Sequence, residues 1–429
     1  MQKILEQLDS ELKNLIGDTG AKVPGLGVIV YKDGREIFSA FHGCRNLEKN
    51  KPVTRDTRFR VASVSKMFTI FAIMKLAEEG KINLDEDAGK YLGFDLRNPT
   101  CPEKKITVRL LAAHLSSIRD GKIYSAPPEY DLQNFFSPNG KFWEDGAHFD
   151  GVPGNFFCYC NLNYGILGTI IERVTGKRFD VYMKENIFAP LEIFAEYVPG
   201  NFSDAEFEKL GTLYRKKNPT GVWDEFGKWY GTIDEYKNFR PAKNTLAIQN
   251  PYAENFQPVC DLKNYSPGRN ATIFSPQGGL RISFEELSHG LEMLMNGGTW
   301  RGKKFLRPES VAEMLKIRWR YDPENKNGSD CGGAVLSYGM GIYFIDGKSS
   351  ARLCRKYEVD LIGHTGEAFG MMSGLFFRPG SRDGFIYMMN GEAIEEDTDV
   401  RSKGKFGANY IWEENIADPI CRALIEFTG

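Results

Sequence analysis

Arg60-Val-Ala-Ser63-Val-Ser-Lys66-Met-Phe-Thr-Ile-Phe-Ala-Ile-Met74 sets a Ser-x-x-Lys tetrad at the head of a run that is apolar almost all round. On a helix, residues three apart share a face, so the Ser63 hydroxyl and the Lys66 amine lie one turn from each other. A serine hydroxyl is a weak nucleophile at its own pKa. An amine desolvated by apolar neighbours gives up its proton more easily and can act as the general base that activates it. The pair is chemically sufficient to start acyl transfer. The tetrad alone arises about once or twice by chance in a chain of this length, and the plain alternative is a capped, solvated helix start. Against that alternative stand Met67, Phe68, Ile70, Phe71, Ile73 and Met74, which mark a helix inside a core, where a polar pair needs a reason to be.

The 429 residues exceed one ordinary hydrophobic core, so two lobes are expected. A net charge of -2 and the lack of any Lys/Arg-rich block give no attraction for nucleic acid or an anionic membrane. The longest apolar run, Met67 to Met74, is too short to span a bilayer, and Met1 to Ile16 has the period of an amphipathic helix rather than a signal peptide. Cys44, Cys101, Cys158, Cys160, Cys260, Cys331, Cys354 and Cys421 form no paired framework, so the expectation is reduced thiols in a cytoplasmic protein; a chain trimmed of a leader would reverse it. Cys158-Tyr-Cys160 lacks the spacer of a zinc site. None of His42, His114, His148, His289 and His364 pairs with another at helical ligand spacing, so neither a metal nor another cofactor is expected.

Along the chain, Gly25–Tyr31 and Glu36–Phe41 predict a hairpin turned at Asp33-Gly34. Helices follow at 63–79, stopped by Gly80, then at Val108–His114 and at Leu162–Val174, closed by Gly176. Residues 201–269 scatter Trp223, Phe226, Trp229, Tyr230, Tyr236, Phe239, Tyr252, Phe256 and Tyr265 among Gly, Pro, Asn and Lys; an irregular insertion is expected, serving as a lid or as a satellite cluster under a loop. Ser283–Met295 predicts a further helix, and Tyr338–Phe344, Met371–Phe377 and Gly384–Met389 predict strands. Glu395–Asp399 has the composition of a solvated acidic loop, and Asp418-Pro419 predicts the start of the last helix. The fold class is α/β (α+β): an antiparallel sheet in a discontinuous lobe of residues 1–62 and 270–429, and a mainly helical lobe over 63–200.

Two further segments carry chemistry. Gly154-Asn-Phe-Phe-Cys-Tyr159-Cys-Asn161 places Tyr-x-Asn at the head of a helix, and Gly363-His364-Thr365-Gly366 lies between strand signals. With these in order after Ser63 and Lys66, the chain resembles the serine β-lactamase and penicillin-binding-protein superfamily, in its class C-like branch with D,D-peptidases and family VIII esterases. Ile106-Thr-Val-Arg-Leu-Leu-Ala-Ala-His-Leu-Ser-Ser117 and Ser275-Pro-Gln-Gly-Gly-Leu-Arg-Ile-Ser283 extend the resemblance, which covers roughly 1–200 and 270–429.

The resemblance implies a β-lactamase/transpeptidase-like fold with Ser63 as the acylated nucleophile and Lys66 as its partner. It makes Tyr159 the proton shuttle, as phenolate or through Lys66, and has Asn161 hold Lys66 and the substrate. It assigns Thr365 to hydrogen-bond the substrate, Gly366 to let the strand approach closely, and the N–H groups of Ser63 and Glu367 to form the oxyanion hole. His364 stands where class C β-lactamases have lysine, so a titratable group replaces the cation that would hold a β-lactam carboxylate. Ser117 stands where glycine is common, and the resemblance leaves His114 a structural residue. The expected function is a serine hydrolase acting through an acyl-enzyme on small ester or amide substrates, an esterase first. A D,D-peptidase, D-amino-acid amidase or β-lactamase is the alternative, and a catalytically idle ligand-binding member the alternative from another class. No Gly-x-Ser-x-Gly elbow supports an α/β-hydrolase. No oligomeric state is implied.

Overall fold

A computed structural model of the protein describes residues 2–143, 149–236, 239–248, 257–396 and 398–427. Met1, His148, Tyr252, Phe256 and Asp397, and the chain end at 428–429, lie outside the described residues. Helix α1 (Gln2–Lys13) leads into β1 (Gly25–Lys32) and β2 (Arg35–Asn46). Asp33 and Gly34 both have positive φ, 53° and 77°, the combination that lets a two-residue turn follow the twist of a hairpin. After β3 (Lys51–Pro52) come α2 (Ser65–Glu78), α3 (Val108–Ala112) and α4 (Leu162–Thr175). Then follow β4 (Leu213–Arg215), β5 (Tyr230–Ile233), β6 (Thr245–Ile248), β7 (Gln257–Asp261) and α5 (Phe284–Met295). The last part holds β8 (Trp319–Arg320), β9 (Ser337–Tyr338), β10 (Tyr343–Ile345), β11 (Leu361–Ala368), β12 (Met371–Phe377), β13 (Gly384–Met389), β14 (Gly391–Glu392) and α6 (Ile411–Glu426).

Nine strands form one sheet in the order β8-β9-β10-β11-β12-β13-β1-β2-β3, each neighbour antiparallel to the next. The first residues of the chain thus pair with nearly the last, Ile29 facing Ile386. Both faces are covered. Val28 and Val30 pack with Leu8, Leu12, Trp412, Ile416 and Ile420 of the two terminal helices. Ile29 and Tyr31, on the other side of the pleat, join the core built by α2, α4 and α5. Double coverage is why β12 and β13 are apolar runs rather than alternations: every residue in them is buried. The β-lactamase/transpeptidase-like mixture of helices and antiparallel sheet implied by the sequence is the observed fold. Helix α2 is buried without a break from Ser65 to Met74, as its all-round apolar surface requires.

Four sequence-based readings are corrected. The run Tyr338–Phe344 is two short strands, β9 and β10, turned at a Gly341 of φ 67°, with Tyr338 facing Tyr343. Helix α6 begins at Ile411 rather than at Asp418, and Pro419 lies inside it. The apolar ridge of Trp412, Ile416, Ile420 and Leu424 carries the helix through, while the Asp418 carboxylate accepts the N–H of Arg355 from outside the helix instead of capping it. Within 201–269, β4 and β5 are regular and form a three-stranded sheet with β14. The 395–399 loop is only partly solvated: Glu396 is buried and pairs with Arg215. No helix among the described residues is long and apolar enough to cross a membrane.

Candidate active site

Ser63 lies on a single 3-10 turn, Ala62–Val64, that enters α2. The turn is fixed from two sides. Arg58–Arg60 pairs antiparallel with Arg281–Ser283, and Ser373 of β12 donates its hydroxyl to Val61 O at 2.8 Å. Ala62 adopts φ 46°, a left-handed conformation that swings the chain into the helix beside Ser63.

Lys66, in the first turn of α2, is wholly buried and donates to Ser63 Oγ at 2.9 Å, Asn161 Oδ1 at 2.9 Å and Gln277 O at 3.2 Å. Its Nζ also lies 4.7 Å from the centre of the Tyr159 ring and 5.4 Å from that of Tyr164. None of its hydrogen-bond partners is a carboxylate. Burial therefore dominates and pulls the amine down to about 7, while the more distant Asp120 charge acts in the opposite direction.

The Tyr159 hydroxyl hydrogen-bonds Ser63, but burial holds the phenol well above its usual pKa. Its ring packs 4.4 Å from that of His114, whose Nδ1 accepts the N–H of Cys160 at 3.0 Å and whose burial keeps it neutral. His114 is thus a packing and hydrogen-bonding support for the Tyr-x-Asn segment. Ser117, on the same loop, sits at φ 65°, which explains why a glycine would suit the position.

Asn161 immediately precedes α4 and is clamped by Asp120, a residue with no signal in the sequence. The Asp120 carboxylate accepts from Asn161 N and Nδ2 and from Leu162 N, each at 2.9 Å, and from Cys160 Sγ at 3.3 Å. One acidic side chain from a loop forty positions upstream both caps the helix and aims the amide.

The opposite wall is β11, which carries the Gly-His-Thr-Gly segment within a strand rather than between strands. A Cβ on Gly366 would lie 2.3 Å from Val61 O, 2.4 Å from Ser373 Oγ and 3.1 Å from Ser63 N, so only glycine lets this strand reach the serine turn. Thr365 Oγ1 accepts from Tyr343 Oη at 2.9 Å. Glu367 turns its side chain toward Arg215, at 3.4 Å. His364 is 2 % exposed, with Nε2 3.1 Å from Tyr338 Oη. Burial and the nearby Lys66 push its pKa down to about 3, which corrects the expectation of a group titrating near neutrality: the imidazole is neutral throughout the physiological range.

Ser63, Tyr159, Asn161, His364, Thr365 and Glu367 line one cleft of about 300 Å³; Lys66 lies beneath it and Gly366 behind it. Sequence reasoning missed Arg60, Tyr124, Tyr343 and Glu413, which also line it. Arg60, Tyr124, Gln277 and Phe369 border a second hollow of about 440 Å³ as well, so the cleft continues there.

Comparison with known proteins adds descent to geometry. Protein flp of Staphylococcus aureus strain MRSA252 is 26% identical over 213 residues, 48% of this chain and 41% of that protein. The D-aminopeptidase of Brucella anthropi is 25% identical over 355 residues, 75% of this chain and 60% of that protein. The chain therefore spans only part of the length of these relatives. Among solved structures, D-amino acid amidase from Ochrobactrum anthropi SV3 complexed with D-phenylalanine superimposes with a TM-score of 0.64 at 18% identity, covering 99% of this chain and 98% of that one. The octameric penicillin-binding protein homologue from Pyrococcus abyssi gives a TM-score of 0.60 at 22% identity, covering 92% and 74%. The Beta-lactamase family model matches residues 12–408, nearly the whole chain, and the chain therefore belongs to the Beta-lactamase family.

Proposed function

We propose that the protein hydrolyses amide or ester bonds of small substrates through an acyl-enzyme on Ser63, with amino-acid amides or short peptides as its first substrates. The observation that carries the reading is Lys66 Nζ, buried, 2.9 Å from Ser63 Oγ and held near pKa 7. As a neutral amine Lys66 takes the Ser63 proton while Oγ attacks the substrate carbonyl carbon. The N–H groups of Ser63 and Glu367 receive the oxyanion. Tyr159 acts as a neutral phenol rather than a phenolate, because its burial disfavours the anion; it passes the proton from Lys66 to the departing amine or alcohol. Water then attacks the acyl-enzyme ester, giving its proton back along the same route and releasing the acid and free Ser63.

The order of substrates departs from the sequence-based one, which put esters first. Likeness to a D-aminopeptidase over 75% of the chain supports the peptidase or amidase reading. The neutral His364 supports substrates without the carboxylate of a β-lactam. Esters of the same acyl groups use the same steps with an easier leaving group.

The test is to incubate wild type and Ser63→Ala with D- and L-alaninamide, D- and L-alanine p-nitroanilide, p-nitrophenyl acetate and a fluorescent penicillin. Hydrolysis of the amides by wild type alone, with an acyl adduct mapped to Ser63, is the expected result. Absence of both turnover and adduct in wild type would sink the reading.

A further inference from the structure

Beyond Thr365 the cleft wall is built by the start of α6. Glu413, its third residue, is 4 % exposed and lines the cleft together with Thr365, Tyr410 and Lys403. Its carboxylate accepts the N–H of Tyr410 at 2.9 Å and hydrogen-bonds the side chain of Thr365, the residue next to Gly366. No lysine or arginine among the described residues forms an ion pair with it. The charged and titratable groups around it leave it so. Lys403, across the wall, sets its Nζ over the Tyr410 ring at 4.3 Å. The Glu414 carboxylate, itself buried, faces the N–H groups of Lys405 and Phe406 and the guanidinium of Arg355 at 3.6 Å, and its charge adds to the rise of the Glu413 pKa. Tyr343 and Tyr387, packed below, are kept neutral by burial.

The far side of the cleft has the opposite character. Arg60, at the passage to the second hollow, donates from Nε to Gly278 O at 2.8 Å and spreads its guanidinium over Phe369 at 5.1 Å. The wall that includes His364 therefore offers a substrate a neutral imidazole and a carboxyl group, while Lys403, whose charge acts on Glu413 without an ion pair, rests on an aromatic ring. We propose that Glu413 is the receptor for a protonated primary amine beside the scissile carbonyl, so that the cleft selects amino-acid amides and esters whose amino group is free. This rests on the acyl-enzyme reading of Ser63. A buried carboxylate gains most from a charged donor that fills its free positions, and an acylated amine offers it neither charge nor the second and third N–H. Burial raises the Glu413 carboxyl to about 7, and the ammonium group displaces that proton to solvent on binding. Lys66, neutral from the same pH upward, then adds no repulsion.

Two measurements separate this inference from the reaction it rests on. Binding is measured by calorimetry to Ser63→Ala, which cannot turn over, using D- and L-alaninamide and their N-acetyl counterparts at pH 8. Alaninamide of the preferred hand should bind at least about tenfold more tightly than its acetylated form, and Ser63→Ala combined with Glu413→Gln should bring the two within about threefold. In the otherwise wild-type protein, Glu413→Gln should lower kcat/KM on alanine p-nitroanilide by about tenfold and leave it within about threefold on N-acetylalanine p-nitroanilide. Glu413→Asp, which keeps the charge, should retain part of the preference. A preference unchanged in Glu413→Gln, an equal loss on both substrates, or tighter binding of the acetylated amides overturns the assignment of Glu413. Selective binding of alaninamide without turnover by the wild type would uphold the amine site and overturn the hydrolase reading instead.

Discussion

Asp120 and Lys66 do not touch, yet one side chain couples them: Asn161 gives its Nδ2 to Asp120 and presents its Oδ1 to Lys66, both at 2.9 Å. The carboxylate accepts only, so it fixes which end of the amide faces the lysine. Asp120→Asn loses that selection and leaves an amide facing the N–H groups of Asn161 and Leu162. Because the Asp120 charge also raises the Lys66 pKa, its removal should lower the basic group's apparent pKa at the same time. Rates should fall on the order of tenfold, and the acidic limb of the kcat/KM profile should move below 7. A loss of rate with the limb unmoved would count against the coupling.

The same limb tests which residue is the base. Lys66 must be neutral to accept the Ser63 proton, and its pKa lies at about 7, so kcat/KM should rise with pH through that value on substrates without an ionisable amine. N-acetylalanine p-nitroanilide is such a substrate, so titration of Glu413 drops out of the reading. His364, at about 3, is already neutral there and contributes no limb between 5 and 8. His364→Gln should therefore change the height of the profile and keep its midpoint. Disappearance of the limb in that variant would transfer the role of base from Lys66 to His364.

Gly366→Ala should be far more damaging than a single methyl suggests. The new Cβ meets backbone oxygen Val61 O at 2.3 Å and Ser373 Oγ at 2.4 Å, and neither can swing away freely, since Ser373 itself donates to Val61 O. Strand β11 has to retreat from the serine turn, which opens the proposed oxyanion site. A displacement of this kind costs about a hundredfold in kcat/KM. Thermal denaturation should show a variant that still folds, since β11 keeps its partners β10 and β12. Activity within threefold of wild type would mean that the strand does not set the oxyanion geometry.

How far these relationships were legible in the sequence follows from their range. The tetrad and the helix capped by Gly176 are local patterns, and the fully buried α2 is what an apolar run without an exposed face must become. Tyr-x-Asn and His-Thr-Gly were visible as motifs, but whether they face Ser63 depends on pairings such as Ile29 with Ile386 that no spacing encodes. Asp120 acts on a helix forty residues away, and Glu413 reaches the cleft only because α6 starts eight residues before the proline that the sequence marks as its opening. The protonation of His364 was misjudged for a related reason: burial, a property of the assembled core, outweighs the ordinary pKa of the residue type.

His364 also decides what a cation would do at that position. By the resemblance, a lysine there would supply the cation that holds a β-lactam carboxylate. In the structure the site is 2 % exposed and already lies in the field of Lys66, so a second lysine is first of all a buried charge. Burial depresses a lysine's folded pKa below its unfolded value, so between the two the unfolded chain binds the extra proton. The stability penalty of His364→Lys relative to wild type should therefore be larger at pH 6, on the order of 3 kcal/mol, than at pH 9, since above neutrality wild-type His364 does not titrate and the lysine penalty shrinks as pH rises toward 10. Urea denaturation at pH 6 and pH 9 reads this directly. An equal penalty at both would mean that the new ammonium has snorkelled into the cleft, and a gain in kcat/KM on carboxylate-bearing substrates should then accompany it.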